Sequence, residues 1–301
     1  MKKFSDLRFV ILVFVLIILF ALWISRPASR QIDASRYEIS TVRTASVGLV
    51  EVIGPICDAR KWCKQIDDFR KNRQVKAIVI RMDSPGGGVS AAQELYTALK
   101  RARAVKPVVV SMGGVAASGG YYSSLGADTI VANPGTTTGS IGVLIEVAQL
   151  HELMEKIGFS TEVIKSGEYK DSGTPFRKLS PKERTYLQGY VDDAYDQFIQ
   201  VVAEERSLDL EKVKEIADGR VFTGRQALAL GLVDVLGDQY DAVCIAAKMA
   251  GLGAEPNIVK PPKKLKGWDW VDYVLDELEE SLRQRLESRP MFQYIWQPGE
   301  L

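Results

Sequence analysis

The stretch KAIVIRMDSPGGGV, Lys76 to Val89, decides the fold class of this chain. Its first half is apolar on both faces, as in a strand buried on both sides of a sheet, and its second half turns the chain through a proline and three glycines. Similar apolar runs follow, PVVVSM (107–112) and DTIVANP (128–134), with amphipathic helical segments between them. Apolar strands alternating with helices predict an α/β fold with a largely parallel sheet flanked by helices on both faces.

The same pattern continues on both sides of this centre. We predict strands at 45–54 and at 159–167 (FSTEVIKSG), helices at 58–73, 90–104, 117–126, 147–157 and 181–206, and a helix-turn-helix segment at 208–234. Ser180 stands immediately before the long helix and is a typical N-cap residue.

The N-terminus is far more apolar than the rest of the chain. FVILVFVLIILFALWI, Phe9 to Ile24, carries no charge and follows Lys2, Lys3 and Arg8. At about 1.5 Å per residue this run covers most of a hydrocarbon core of about 30 Å. It predicts a single-pass anchor over 1–26 and a tether over 27–45, with the N-terminus cytoplasmic and the domain at 46–260 on the extracytoplasmic (periplasmic) side of the cell membrane. A cleavable signal peptide is the alternative, although the run exceeds a usual h-region and no A-x-A site follows it.

A C-terminal extension, 261–301, follows the linker-like sequence PPKKLKG. Its segment WDWVDYVLDELEESLRQRLESR (268–289) has apolar residues along one helical stripe, which predicts an amphipathic helix. Docking, assembly and self-occlusion are all open as its role.

Composition excludes some classes of function. The 301 residues have a net charge of +1 with basic and acidic residues interspersed, so no basic surface for nucleic acid is indicated. The three cysteines lack the spacing of a metal site. Cys57 and Cys63 could pair in an oxidising compartment or remain thiols, and the sequence leaves both possibilities open.

Ser118 stands in GGVAASGGYYSSLGAD, 113–128, between two alanines and a Gly-Gly pair where a strand gives way to a helix. Such a serine can be an N-cap, a packing residue or a nucleophile. The chain has one histidine, His151, in a helical stretch, so a Ser-His-Asp triad would have to use it. A desolvated lysine is the other recognised base, and lowering its pKa by about three units requires roughly 4 kcal/mol.

Two glycine turns could supply the donors of an oxyanion hole. DSPGGGV, 83–89, can direct backbone N–H groups into a cleft, and Gly119 can add a second donor at a helix start. A tight turn without chemistry is the other interpretation. A phosphate-binding loop is a further possibility, but the Walker pattern with its lysine is missing from this stretch.

Five motifs in order carry a family resemblance: SPGGG, ASGGYY, TGSIGV, IKSGEYKD and ADGRVFTGRQALALGLVD. Over roughly residues 45 to 250 this set resembles the signal peptide peptidase A (SppA) family in its short, single-module form. That family consists of membrane-anchored serine-lysine proteases with a ClpP/crotonase-like fold.

The resemblance implies roles for five residues. Ser118 corresponds to the nucleophile, Lys170 to the general base, Ser140 to the hydroxyl that orients the lysine, and the amides of Gly87 and Gly119 to the oxyanion donors. No cofactor and no metal are implied.

A second lysine, Lys165, lies close to Lys170 in the sequence, and only the alignment of KSGEYKD selects between them.

The resemblance also implies partners. The expected ligands are peptides, among them remnant signal peptides, and the chain is expected to form a homo-oligomeric ring or dome whose sites combine serine and lysine from neighbouring subunits. Two other functions stay open at this point, a crotonase-like acyl-CoA enzyme and a non-catalytic membrane scaffold.

Overall fold

The computed structural model describes residues 44–261 and a short strand at 293–295. The predicted anchor, nearly all of the predicted tether and the predicted tail helix lie outside the described residues. Across 44–261, none of the helices combines the length and apolar character that a membrane crossing requires.

Ten strands are described, and eight of them form one sheet in which β4 has β2 on one side and both β5 and β6 on the other. All pairs in this sheet are parallel except β6 with β7. The strands are β1 (Ser46–Ile53), β2 (Val75–Ser84), β3 (Gly86–Gly88), β4 (Val108–Ala117), β5 (Thr129–Ala132), β6 (Thr137–Gly139), β7 (Val221–Thr223), β8 (Val235–Leu236), β9 (Asn257–Val259) and β10 (Gln293–Ile295).

Most of the helices predicted from the sequence are confirmed, with ends that differ by a few residues. The long helix begins at Pro181 after a capping box in which Ser180 and Glu183 exchange hydrogen bonds. The helices are α1 (Arg60–Lys71), α2 (Val89–Arg103), α3 (Gly119–Ser124), α4 (His151–Lys156), α5 (Pro181–Arg206), α6 (Leu210–Ile216), α7 (Gly224–Ala229) and α8 (Gln239–Met249).

The predicted strand at 159–167 is wrong for the single chain, because these residues form no regular secondary structure. A strand requires a hydrogen-bonding partner, and within 44–261 this segment has none. Its apolar residues are exposed, Ile164 to 95% and Val163 to 54%.

Both faces of the sheet are covered, as the apolar strands predicted. One face packs against α8 through Ala242, Val243 and Ala246, and the opposite face packs against the helices α1, α2 and α3. The mixed α/β class with a mostly parallel sheet is therefore confirmed.

A bulge in β4 divides that strand into two halves. Met82 and Ser84 of β2 pair with Met112 and Ala116, so β4 has two extra residues here. The first half of β4 pairs with β5 and the second half with β6. The Asp83 side chain lies in the bulge and accepts a hydrogen bond from the N–H of Val115 at 3.1 Å.

Gly113→Ala should destabilise the protein, because an added Cβ would lie 2.4 Å from Asp83 Oδ2 and 2.9 Å from Asp83 Cβ. We expect a loss of about 1–3 kcal/mol in the free energy of unfolding, measured by urea denaturation. Gly114→Ala is the matched control, since its Cβ would have its nearest neighbour at 3.8 Å. Equal stability of the two variants would show that close packing of Asp83 does not shape the bulge.

Candidate active site

Ser118 occupies the sharp turn between β4 and α3 in an unusual backbone conformation. Its φ is 53° and its ψ is −116°, a region that costs a non-glycine residue about 1–3 kcal/mol. Two hydrogen bonds hold the turn: its N–H donates to Gly139 O at 2.8 Å, and its carbonyl accepts from Tyr122 N at 2.8 Å. The hydroxyl makes no helix-capping hydrogen bond, so the N-cap interpretation of Ser118 is not supported.

Ser140 lies beside Ser118 at the same edge of the sheet. Ala117 and Gly139 are directly paired in the parallel strands β4 and β6, and neighbouring strands lie about 4.8 Å apart. Ser118 follows Ala117, and Ser140 follows Gly139. Ser140 has a φ of 50°, and both serines are buried. In the described part of the chain only three non-glycine residues have positive φ, and these serines are two of them.

The strand β3 presents the Gly87 amide to one side. Ile56 donates to Gly86 O at 2.8 Å and accepts from Gly88 N at 2.9 Å, so it occupies one edge of β3. Because successive backbone groups of a strand point to opposite edges, the N–H of Gly87 faces away from Ile56. Only glycine fits here, since an added Cβ at Gly87 would lie 2.4 Å from Ile56 O.

The edge that Gly87 faces is occupied by residues 293–295. In this antiparallel pair Tyr294 lies opposite Gly87, and β10 also contacts α2 and α3. The sequence did not predict this strand, because three residues are too few to show a period, and the glycine partner strand has no side-chain pattern to match. An extended segment of the chain therefore lies along the glycine strand, next to the helix that Ser118 begins.

Lys170 differs from this cluster in its exposure to solvent. It is exposed on the segment that joins β6 to α5, and its backbone N–H donates to Gly167 O at 3.2 Å. Within residues 44–261 no hydrogen bond or ion pair engages its ammonium, and none joins it to Ser118. The single chain thus brings together Ser118, Ser140, Gly87 and Gly119, and among the described residues no hydrogen bond links Lys170 to them.

Lys165 differs from Lys170 in its contacts. Its ammonium forms an ion pair with Asp171 and donates to Glu168 O at 2.9 Å. A lysine that neutralises a carboxylate is poorly suited to accept a proton. The contacts therefore favour Lys170 as the candidate base.

A network of ion pairs fixes the loop that carries Lys170. Arg177 donates to Asp171 at 2.8 Å and to Glu183 at 2.5 Å and 2.8 Å. Hydrogen bonds from Arg177 hold the pKa of Glu183 well below its usual range, and those from Arg177 and then Lys165 lower the pKa of Asp171 to about 2. No motif in the sequence predicted this network, although the spacing of Ser180 and Glu183 indicates the capping box that contains part of it.

His151 is not part of the Ser118 cluster. It begins α4, and its two ring nitrogens are buried without a hydrogen-bond partner, with the Glu152 carboxylate 3.7 Å from Nε2. It lines a cavity of about 630 Å³ together with Glu152, Glu155, Lys156, Phe176, Arg177 and Lys178. Ser118 does not line this cavity, so the structure gives no support to a histidine base.

The three cysteines are free thiols in the structure, so Cys57 and Cys63 do not pair there. Burial raises the pKa of Cys63 to about 11, which disfavours the reactive thiolate. Among the described residues no group of histidine, cysteine, aspartate and glutamate side chains could hold a metal ion.

Comparison with known proteins identifies two family matches. Residues 100–253 match the family described as Peptidase family S49, and residues 40–134 match the family described as Clp protease. The chain is 45% identical over 233 residues to a provisionally named protease of Synechocystis sp., covering 76% of this chain and 84% of that protein.

Two further relatives are longer than the matched region. A provisionally named signal peptide peptidase SppA of Enterococcus faecium is 40% identical over 185 residues, 61% of this chain and 54% of its own length. Serine protease SPPA of Arabidopsis thaliana, named as chloroplastic, is 37% identical over 228 residues, 73% of this chain and 34% of its own length. The match thus spans about half of the Enterococcus faecium protein and about a third of the Arabidopsis thaliana protein.

A chain that ends at residue 292 should lose hydrogen-exchange protection at Gly87, because the edge its N–H faces no longer has a partner strand. We expect the Gly87 amide to exchange at least about tenfold faster than in the full chain. The Gly88 amide is the internal control, since its hydrogen bond to Ile56 O at 2.9 Å is retained. Equal exchange of Gly87 in both chains would contradict the pairing with 293–295.

Proposed function

The chain belongs to peptidase family S49 and is a serine protease, and on this premise we propose that Ser118 is its nucleophile and Lys170 its general base. The observation that carries the assignment of Ser118 is its strained backbone at the end of β4, with φ at 53°. A turn of this kind presents a hydroxyl at the end of a sheet strand, as a nucleophile requires.

The proposed chemistry is acyl transfer in two steps. The Ser118 hydroxyl attacks the peptide carbonyl while the Lys170 amine takes its proton, and Ser140 accepts a hydrogen bond from the resulting ammonium. The N–H groups of Gly87 and Gly119 bind the oxyanion. The Lys170 ammonium then protonates the leaving amine, and a water molecule deprotonated by Lys170 hydrolyses the ester on Ser118.

Strand addition is the proposed mode of substrate binding. The edge of Gly86–Gly88 already carries the extended segment 293–295 in antiparallel register. A peptide that paired in the same way would place its main chain along the N–H of Gly87, and its main-chain hydrogen bonds would not depend on its sequence. This mode suits extended peptides, whose main-chain N–H and C=O groups repeat along a strand, better than an acyl-CoA, which lacks that repeat.

We assign Lys170 to a neighbouring subunit's serine, which makes the active form a homo-oligomer. The segment between 144 and 190 exposes many large apolar side chains, more than a stable single chain usually leaves in water. These are Leu144, Leu150, Leu153, Ile157, Phe159, Val163, Ile164, Tyr169, Phe176, Tyr186 and Tyr190. A second copy that covered this surface would also remove water from Lys170, as a neutral lysine requires.

Mixed oligomers test the shared site. Ser118→Ala and Lys170→Ala chains should each be inactive on an apolar peptide, and mixing them after subunit exchange should restore activity. With random mixing in equal amounts, about a quarter of the head-to-tail interfaces combine an intact serine with an intact lysine. A dead mixture with confirmed exchange would place the dyad within one chain.

Labelling with a serine-directed fluorophosphonate separates catalysis from a scaffold role. The unaltered chain should label at Ser118 and the Ser118→Ala chain should not. Lys182→Ala is the matched control for Lys170→Ala, since Lys182 pairs only with the exposed Glu168, and it should retain most of the activity.

Membrane anchoring completes the proposal. Residues 1–26 are assigned as the anchor, 27–45 as the tether and 46–260 as the protease domain, held outside the cytoplasm. This location places the site beside the peptides that signal-sequence cleavage leaves in the membrane, which we propose as its substrates.

Deleting residues 1–26 should release the protease from the membrane, because the site lies wholly beyond the tether. We expect the shortened chain to be recovered without detergent and to label at Ser118 at the rate of the full chain. The check is membrane fractionation with a carbonate wash. Retention of the shortened chain on washed membranes would show that a surface other than the anchor binds lipid.

A further inference from the structure

An ion pair closes the loop around Lys170. It joins Lys165, five residues before Lys170, to Asp171, one residue after it. Within the loop, Lys170 N donates to Gly167 O and Ser172 N donates to Tyr169 O, each at 3.2 Å. The backbone at Lys170 is therefore fixed, although its side chain is exposed.

Arg177 connects this loop to the start of α5. Its guanidinium donates to Asp171 through Nε at 3.1 Å and through Nη2 at 2.8 Å, and it also forms a double hydrogen bond with Glu183. The Glu183 side chain is 3% exposed and also accepts from Ser172 Oγ at 3.1 Å and Ser180 N at 2.9 Å. A planar guanidinium can form double hydrogen bonds with two carboxylates at once in this way, whereas an ammonium contacts each carboxylate only as a point charge.

The charges of this network balance. Two cations, Lys165 and Arg177, face two carboxylates, Asp171 and Glu183, so no carboxylate of the network is left to attract the Lys170 ammonium. This balance matters because a lysine beside an unpaired carboxylate is stabilised in its charged form and is a poor base.

We propose that Arg177 is a positioning residue for Lys170: it fixes the loop and supplies the second positive charge that balances the Asp171 and Glu183 carboxylates, whose excess negative charge would otherwise stabilise the Lys170 ammonium. This inference rests on the proposed role of Lys170 as general base. It assigns a function to a residue that neither contacts the serine cluster nor enters the acyl-transfer steps.

The other charged or titratable groups around the loop, outside this network, form no described hydrogen bond with Asp171 or Glu183 that could take the place of those from Arg177. Glu168 is exposed and pairs with Lys182 of α5 at 3.3 Å. Tyr169 and Tyr186 contact each other, with ring centroids 5.1 Å apart. The groups of α4 beside Arg177 are those that line the same cavity, His151, Glu152, Glu155 and Lys156, together with Lys178 of the loop.

The test measures the protonation of Lys170 directly in the full-length chain. Trace acetylation with acetic anhydride, followed by mass spectrometry of the Lys170 peptide across a pH series, reports the fraction of neutral amine. In Arg177→Met we expect about tenfold less acetylation of Lys170 at a fixed pH below its midpoint, because two carboxylates then face one cation and the excess negative charge stabilises the ammonium. The acid limb of kcat/KM should move to higher pH by the corresponding amount.

Lys182→Met is the matched control, since it removes a cation that pairs with the exposed carboxylate of Glu168, where water screens the freed charge, and it should leave Lys170 acetylation unchanged. If Arg177→Met does not fold, Arg177→Lys decides. Its ammonium keeps the positive charge but cannot form double hydrogen bonds with both carboxylates, so it should lower acetylation by a smaller factor. Unchanged Lys170 acetylation in the folded Arg177 variants would overturn the proposal.

A failure of the proposed function gives a different result. Full activity of Lys170→Ala would reject the general-base role, whereas the acetylation experiment tests the effect of Arg177 on Lys170 without reference to catalysis.

Discussion

The division of β4 between two neighbouring strands is the constraint on which the serine cluster depends. Asp83 occupies the bulge opposite Gly113, and the bulge lets the second half of β4 leave β5 and pair with β6. That pairing sets Ala117 against Gly139, which in turn supplies the acceptor for the Ser118 N–H. Without the bend the two serines would not end adjacent strands, and Ser118 would have no partner to hold its strained turn.

The parts of the fold that the sequence predicted are those with a strong local signal. The strand from Val75 to Ser84 is apolar on both faces, and the helix from Pro181 to Arg206 has its cap and its period in one continuous segment. The strand expected at 159–167 failed because a strand depends on a partner, which the local pattern of residues does not supply. The apolar residues of this segment are exposed in the single chain, so they indicate an apolar surface and not a strand paired within the chain.

The candidate site shows the same division between local and distant information. Ser118, Ser140 and Gly87 stand in short motifs with glycines, and these motifs could be found by inspection. Arg177 stands in no such motif. Its proposed role depends on hydrogen bonds to two carboxylates, which lie six residues before it and six residues after it in the chain. The pairing of β10 with β3 was equally hidden, since it joins residues about 200 positions apart through main-chain atoms.

The tail strand has a consequence for competition at the glycine edge. Because β10 belongs to the same chain as Gly86–Gly88, its local concentration at that edge is set by the covalent connection and does not fall when the protein is diluted. A free peptide binds there only in proportion to its own concentration. Occupancy of the edge therefore depends on the ratio of two concentrations, the fixed local concentration of β10 and the variable concentration of free peptide. Peptides that are abundant or that bind tightly are favoured over scarce ones.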